Sequence, residues 1–478
     1  MINLARDLVS MAVSMGAQYA EGRVVDQSQQ AINGTDGAAG VSEFTTCGFG
    51  IRVLVDGQWG FASDNLTQQQ PSQTVSKAIS LARAMPRRTR TVRLAEKPPV
   101  QAAYETPCEQ DPFKMPVAEK VEMVHAIMQA MAGASDKVTK TQAKLDFRRE
   151  ISQLVTSEGT EIGQTITLTG AGLAVTVSDR GQVFRRTYPY SHTDFGTGGF
   201  ELVRALKPVE AAATMVHEAI ELLDAPPCSD LVSTVILDPT LVGMVLHETM
   251  GHPIEMDRAL GDESDNFGPS FLQVHHLGEF QYASELVNMV ADATRPKAVA
   301  TYGYDHEGVK AQSIPIIKDG VFSNYLMSRE CATELELPSN GTARASSWNR
   351  IPMVRITNLS LVPGQSTRDQ LISETDDGLY VETFKGGDID DKRLTFSFMG
   401  ERGWQIRGGK IVGLVKNPVI YGEAPVFWRN CSGIAGPDED RVVGISSCGK
   451  GLPWQFIPTG QGGPPARFEQ VKVGGGIG

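Results

Sequence analysis

The sequence predicts an α+β protein, with an N-terminal α/β half of mixed sheets and packing helices, and a C-terminal β-rich, sandwich- or barrel-like half that carries one distinctive helix. Three observations predict it. Helical and strand periodicities alternate through the first 225 residues, a Pro-Pro-Cys-Ser-Asp stretch marks a boundary near residue 226, and beyond it short apolar or alternating runs are separated by glycine-rich turns. A chain of 478 residues exceeds one ordinary core. We therefore expect an N-terminal domain over 1–225, itself divisible into 1–93 and 112–225, and a C-terminal domain over 226–478.

In order along the chain, Leu4, Leu8, Met11 and Ala12 recur at helical spacing and the segment stops near Gly16. "YAEGRVVDQSQQAI", "SEFTTCGFGIRVLVDG" and "QWGFASDN" read as strands, with Asp56-Gly57 as the hairpin turn between the last two. A helix over about 71–85 closes this unit, and 94–112, rich in Pro, Glu and Gln, reads as a connecting loop. "PVAEKVEMVHAIMQAMAGA" is an amphipathic helix presenting Val117, Val121, Val124 and Met128. The strands "TKTQAKLDFRRE", "REISQLVTSEG", "GAGLAVTVSDRG" and "QVFRRTYPYS" follow, and "PVEAAATMVHEAIELLDA" ends the half as a helix. The second half opens with the buried-type strand "LVSTVILDP". A helix comes next, then "KAVATYGYD", "SIPIIKDGVFSNYLM", "GLYVETFKGGDID", "LTFSFMGERGWQIRGGKIVGLV" and "FEQVKVGGG" as further β segments.

Composition excludes several functions. With 44 basic and 56 acidic residues the formal charge is −12, and the one basic cluster, "RRTRTVR" at Arg87 to Arg93, lacks interleaved aromatics and reads as a solvated linker face. We expect no nucleic-acid partner. The six cysteines are far apart with no C-x-x-C pair, which suits a reducing compartment. Arg6 and Asp7 interrupt what would be the apolar core of a signal peptide, and no run approaches a membrane span. A cytoplasmic protein without membrane association is expected.

The stretch "GMVLHETMGHPIEMD", Gly243 to Asp257, bears the chemistry. It resembles the helical H-E-x-x-H zinc motif, but its histidines, His247 and His252, are five apart. On a continuous α-helix, at about 100° per residue, that spacing puts them about 140° apart. Gly251 and Pro253 bracket the second histidine, so the sequence predicts a helix over about 241–250, a left-handed cap at Gly251 and His252 on extended backbone swinging back under the helix end. Both imidazoles could then reach one zinc ion, with Glu248 as the proton-transferring carboxylate. A third ligand must come from elsewhere. Cys448, Cys431, Cys331, His275, His276, His306, Glu255, Asp257, Asp262 and Glu263 are candidates, and spacing does not choose among them. Cys448 in "GISSCGKG" stands out because flanking glycines let the backbone approach a metal. Each reading has a plainer counterpart. His217-Glu218, with no second histidine, is surface decoration, adjacent histidines usually sit in loops, and an isolated cysteine is usually a small buried apolar group.

Taken together, these blocks resemble the TldD/PmbA family of metallopeptidases, also called modulators of DNA gyrase. "GAQYAEGRVVD" and "GFGIRVLVDGQWGFASDN" resemble its opening strands and "LDPTLVGMVLHETMGHPIEMD" its H-E-x-x-x-H region. "DHEGVKAQSIPIIKDGVFSNYLMSRECA", "NGTARASSW" and "GISSCGKG" resemble later blocks in the same order, so the match spans nearly the whole chain. The resemblance implies zinc held by His247, His252 and Cys448, with Glu248 as catalytic base, and places the chain with the TldD-like catalytic branch. It implies a PmbA-like paralogous partner in a heterodimer, or a homodimer. The implied substrates are unfolded or flexible peptides, such as leader-bearing precursors. A tailoring hydrolase for a small peptide-like molecule and a non-catalytic modulator or scaffold are the alternatives. The chain departs from the pattern at His306, where an acidic residue is expected, and in its ending "CGKGLPWQFIPTGQGGPP".

Overall fold

The computed structural model describes residues 1–67, 70–86, 91–191, 193–263 and 268–476. Arg87 to Arg90 of the basic cluster lie outside the described residues. The N-terminal half is built on one sheet whose strands are β1 Tyr19–Thr35, β2 Ala38–Val55, β3 Gln58–Asn65, β4 Gln101–Glu105, β5 Val138–Thr156, β6 Glu161–Asp179, β7 Gln182–Tyr188 and β8 Asp194–Thr197. Its order is β3-β2-β1-β5-β6-β4, with β7 and β8 also pairing with β6. The Asp56-Gly57 hairpin forms, both residues taking positive φ of 51° and 73°, as a tight turn between twisted strands requires. Helices Ile2–Ser14 and Pro71–Ala84 bury Leu8, Ala12, Val75 and Ile79 against Phe49 and Ile51. Helices Val117–Ala132 and Pro208–Asp224 cover another part with Val124, Met128, Met215 and Leu222.

Two expectations need correction. "TKTQAKLDFRRE" and "REISQLVTSEG" form one 19-residue strand, because β5 is paired continuously on both sides, by β1 and β6. Within the expected loop, Gln101–Glu105 forms β4 by parallel pairing with β6, a distant partner that local composition does not reveal.

In the C-terminal half, β9 is Leu231–Leu237. A six-stranded sheet comprises β10 Met289–Asp292, β11 Ser313–Lys318, β12 Val321–Phe322, β15 Asn358–Leu361, β21 Arg441–Lys450 and β22 Gln455–Gly463, and a small hairpin joins β13 Ala343–Arg344 to β14 Met353–Val354. The remaining strands are β16 Asp377–Ile389, β17 Thr395–Arg407, β18 Lys410–Lys416, β19 Pro418–Glu423, β20 Cys431–Ile434 and β23 Ala466–Gly475. Pairings β9–β16, β16–β17, β17–β19, β19–β23 and β23–β9 close a barrel, so the barrel-like expectation holds. The segment "KAVATYGYD" forms no named strand. Among the described residues, no helix is long and apolar enough to cross a membrane.

Candidate metal centre

Strand β9 runs directly into the helix Pro239–Leu246. Asp238 caps it, its carboxylate accepting from the Leu241 N–H at 2.9 Å, and Pro239 occupies the first turn, where its missing N–H costs nothing. Burial pushes the Asp238 carboxyl up to about 6. Gly243 lets the helix lie backbone-close on β22, since a Cβ there would come within 2.8 Å of the Gln461 carbonyl. The helix is thus pinned to the sheet that carries Cys448.

At His247 the helix changes pitch. Residues His247–Gly251 form a π-turn closed by the His252 N–H on the His247 carbonyl at 3.2 Å. An i→i+5 bond stacks residue 252 over residue 247. The predicted left-handed cap and extended His252 are therefore wrong: His252 is right-handed helical at φ −71°, ψ −39°. Gly251 is present for space, because a Cβ there would meet Ile356 Cδ1 at 2.8 Å. Surrounding side chains serve the polar groups that the wider turn displaces. The Thr249 hydroxyl donates to the Val245 carbonyl at 2.6 Å and accepts from the Trp428 indole at 2.9 Å, and the Tyr282 hydroxyl donates to the Thr249 carbonyl at 2.8 Å. Trp428 is fully buried against Phe427 and Phe468, and truncating such a side chain costs about 3–5 kcal/mol.

Cys448 reaches the same point from β21, the outermost strand of its sheet. The ligand atoms of His247, His252 and Cys448 all lie within 4.8 Å of one another, and all three side chains are buried. Cys448 Sγ is 3.5 Å from His247 Nε2 and 3.6 Å from His252 Nε2. A tetrahedral zinc with bonds of about 2.1 Å to nitrogen and 2.3 Å to sulfur holds such a pair roughly 3.5 Å apart. Among the described residues His247 Nδ1 has no hydrogen-bond partner, and burial holds its imidazole below the usual range, disfavouring the charged ring. Burial pushes the Cys448 thiol up, but His252 and the Arg355 guanidinium outweigh it and favour the thiolate. Two imidazole nitrogens and a thiolate-prone sulfur make a donor set that fits zinc.

A buried ion network holds this set in place. Glu255 Oε2 lies 3.0 Å from His252 Nδ1. A carboxylate only accepts, so Nδ1 carries a proton and Nε2 is the ring nitrogen on the Cys448 side, the one left to ligate a metal. Burial pushes the Glu255 carboxyl up, but Lys450, His252 and Arg258 together bring it well below the usual carboxylate range. Lys450, fully buried, binds Asp257 at 2.7 Å, and Arg355 donates to the Cys448 carbonyl at 2.6 Å. These contacts tie the helix segment to the strand segment some two hundred positions on. Glu248 points elsewhere: it is partly exposed and its Oε2 accepts from Arg393 Nη1 at 2.7 Å. Burial pushes its carboxyl up, but His252, His247 and Arg393 outweigh that and hold it below the usual range.

The other third-ligand candidates sit elsewhere. Glu255 and Asp257 face His252 Nδ1 and Lys450. His275 and His276 lie on an exposed 3₁₀ turn, while burial pushes the Cys431 thiol up to about 12 and raises that of Cys331. His306 lines a separate cavity, and Asp262 and Glu263 follow the last turn beyond Met256–Ala259. Sequence reasoning missed Glu255 as a histidine support, and also Lys450, Arg355 and Arg393. The carboxylate three residues after His252 and the lysine two after Cys448 were the available signals.

Comparison with known proteins yields matches along most of the chain. The PmbA/TldA metallopeptidase domain 1 matches residues 20–85, the central domain 110–223 and the C-terminal domain 232–475. A metalloprotease of Methanothermobacter thermautotrophicus is 30% identical over 469 residues, covering 98% of each chain. A zinc metalloprotease TldD homolog of Saccharolobus solfataricus is 22% identical across 98% of this chain and 99% of its own. The crystal structure of TldE from Thermococcus kodakarensis superposes with a TM-score of 0.74 at 15% identity, covering 99% of this chain and 100% of that one, a likeness of fold.

Proposed function

Since the chain belongs to the PmbA/TldD metallopeptidase family, we propose that it is a zinc-dependent peptidase that hydrolyses amide bonds in unfolded or flexible peptides, leader-bearing precursors among them. The observation that carries this reading is the convergence of His247, His252 and Cys448, with Glu248 next to His247 in the chain. Those three side chains would hold the zinc, which when bound polarises a scissile carbonyl and acidifies a water molecule. Glu248 takes a proton from the attacking water and delivers it to the departing amine. Arg393 holds Oε2 of that carboxylate, leaving Oε1 for the exchange. Glu255 keeps His252 in the tautomer that presents Nε2.

An extended peptide is the substrate form that suits an edge strand such as β21: backbone hydrogen bonds give sequence-tolerant affinity, and a folded protein offers no free strand. A PmbA-like subunit or a second copy of the chain would complete the cleft. Zinc content and cleavage of a flexible casein-like peptide, before and after chelation, test the reading. Activity lost with the metal and restored by zinc supports it. Undiminished cleavage by Glu248→Ala refutes the mechanism, and a protein inert with or without zinc favours a scaffold.

A further inference from the structure

A separate cavity, of about 260 Å³, lies between the N-terminal sheet and a wall formed by the start of β22 and the segments around 299–306 and 344–346. It shares no residue with the His247, His252 and Cys448 cluster. Ile166, Leu168, Val299 and Ile457 give it apolar walls, and charged groups line it as well. Arg148 is paired with Asp146 at 3.2 Å and Arg149 with Asp111 at 2.6 Å. Two further guanidiniums have no carboxylate at ion-pair distance among the described residues. Arg344, 7% exposed, donates through Nη2 to the carbonyls of Ile356 and Pro458, while its Nε has no partner. Arg23, 6% exposed and just behind the wall, donates to the carbonyls of Ser347 and Arg350 and meets His306 Nδ1 at 2.6 Å.

His306 decides the charge balance. Its Nδ1 also accepts from the Ala345 N–H at 2.9 Å, so this nitrogen is the unprotonated one and the ring is neutral. Glu150, whose Oε2 accepts from Gln27 at 2.7 Å, faces both Arg23 and Arg344. Glu21 also faces Arg23 but is paired with Arg52, and Glu255 also faces Arg344 but is paired with Lys450, so the two guanidiniums share one carboxylate not already held by another cation. Burial lowers both Arg23 and Arg344 to about 10, as expected for guanidiniums taken from water without an ion pair.

We propose that this cavity binds a carboxylate carried on an apolar body, the anion lying against Arg344 and the body against Ile166, Leu168 and Ile457. A guanidinium fork matches a carboxylate, and Glu150, which also lines the cavity, disfavours a dianion such as phosphate. The volume is near the lower end of small-molecule sites, which run roughly 300–1,000 Å³. It suits the free carboxyl end of a short peptide or a small organic acid. The site is independent of the peptidase reading and requires no turnover.

Calorimetry on the full chain compares acetyl-Leu-Leu bearing a free carboxylate with its carboxamide, and 4-phenylbutyrate with its amide. The acid of at least one pair should bind about tenfold more tightly than its amide, the scale of one charge-assisted contact. Preference in the peptide pair identifies a peptide end as the ligand, and preference in the phenylbutyrate pair a small acid. His306→Glu tests the charge balance directly, because its carboxylate can accept from the same two donors while neutralising Arg23. Acid preference should then fall below about twofold. Arg344→Met should do the same, with a melting curve to establish folding. In His247→Ala the preference should persist, which separates this site from direct ligation at the metal centre. Equal binding of acid and amide in both pairs, survival of the preference in His306→Glu, or its disappearance in folded His247→Ala would overturn the proposal. Binding without any peptide cleavage would leave it standing and count against the proposed function alone.

Discussion

His217-Glu218 and His247-Glu248 are the same dipeptide on helices of neighbouring segments, and the structure treats them differently. His217 lies exposed on the regular helix Pro208–Asp224, and Glu218 bridges Arg186 and Arg402, both at 3.0 Å. His247 is buried on a π-turn, with His252 stacked over it and Cys448 arriving from another strand. The difference lies in what surrounds the pair. A regular helix carries its side chains around the cylinder, whereas the widened turn, held open by Thr249, Trp428 and Tyr282, brings residues five apart onto one face. A chemical motif is therefore a property of the turn and of its neighbours as much as of the letters.

The two pairs should diverge most when the carboxylate is removed from each. Glu248→Ala should lower kcat on a flexible peptide by about 10²–10⁴-fold, the usual contribution of a general base, with bound zinc unchanged. Next in size is loss of a ligand. Cys448→Ala should weaken zinc binding by roughly 10²–10³-fold, its share of the total for a site of this kind, as measured by competition with a chelator. Full zinc retention by Cys448→Ala would sink that assignment. Glu255→Gln should follow, because the amide can still accept from His252 Nδ1 but no longer balances Lys450 and Arg258. Zinc affinity should fall about 10–100-fold, and the melting temperature should drop as well. An unchanged zinc affinity would show that the histidine is oriented by something else.

These contrasts also mark what sequence can show. The first helix, the Asp56-Gly57 hairpin and the strands expected in the N-terminal half are local patterns, and each formed. His247, Glu248 and His252 stood together in one short stretch, and Gly251 and Pro253 announced a break in the helix. The kind of break was hidden, since the π-turn depends on Trp428 and Tyr282, which are distant in sequence. Spacing could not choose Cys448 from ten candidates. Family resemblance singled it out from those candidates, and the structure brings it beside the histidines because β21 and the helix Pro239–Leu246 both pack on β22. β4 was missed for the same reason, its pairing with β6 being invisible to local composition.

The smallest effect belongs to the other pair. Glu218→Gln keeps the shape of a side chain that is partly exposed and removes only its charge. Arg186 retains Glu401 at 2.6 Å and Arg402 retains Glu382, so neither guanidinium loses its last carboxylate. The cost should therefore resemble that of a partly solvated ion pair, about 1 kcal/mol in a denaturant titration, against the several kcal/mol of a fully buried one. Zinc content and kcat should not move. If Glu218→Gln did lower zinc affinity, the N-terminal helix would be coupled to the metal centre through Arg402 and β17, and the two His-Glu pairs would no longer be independent.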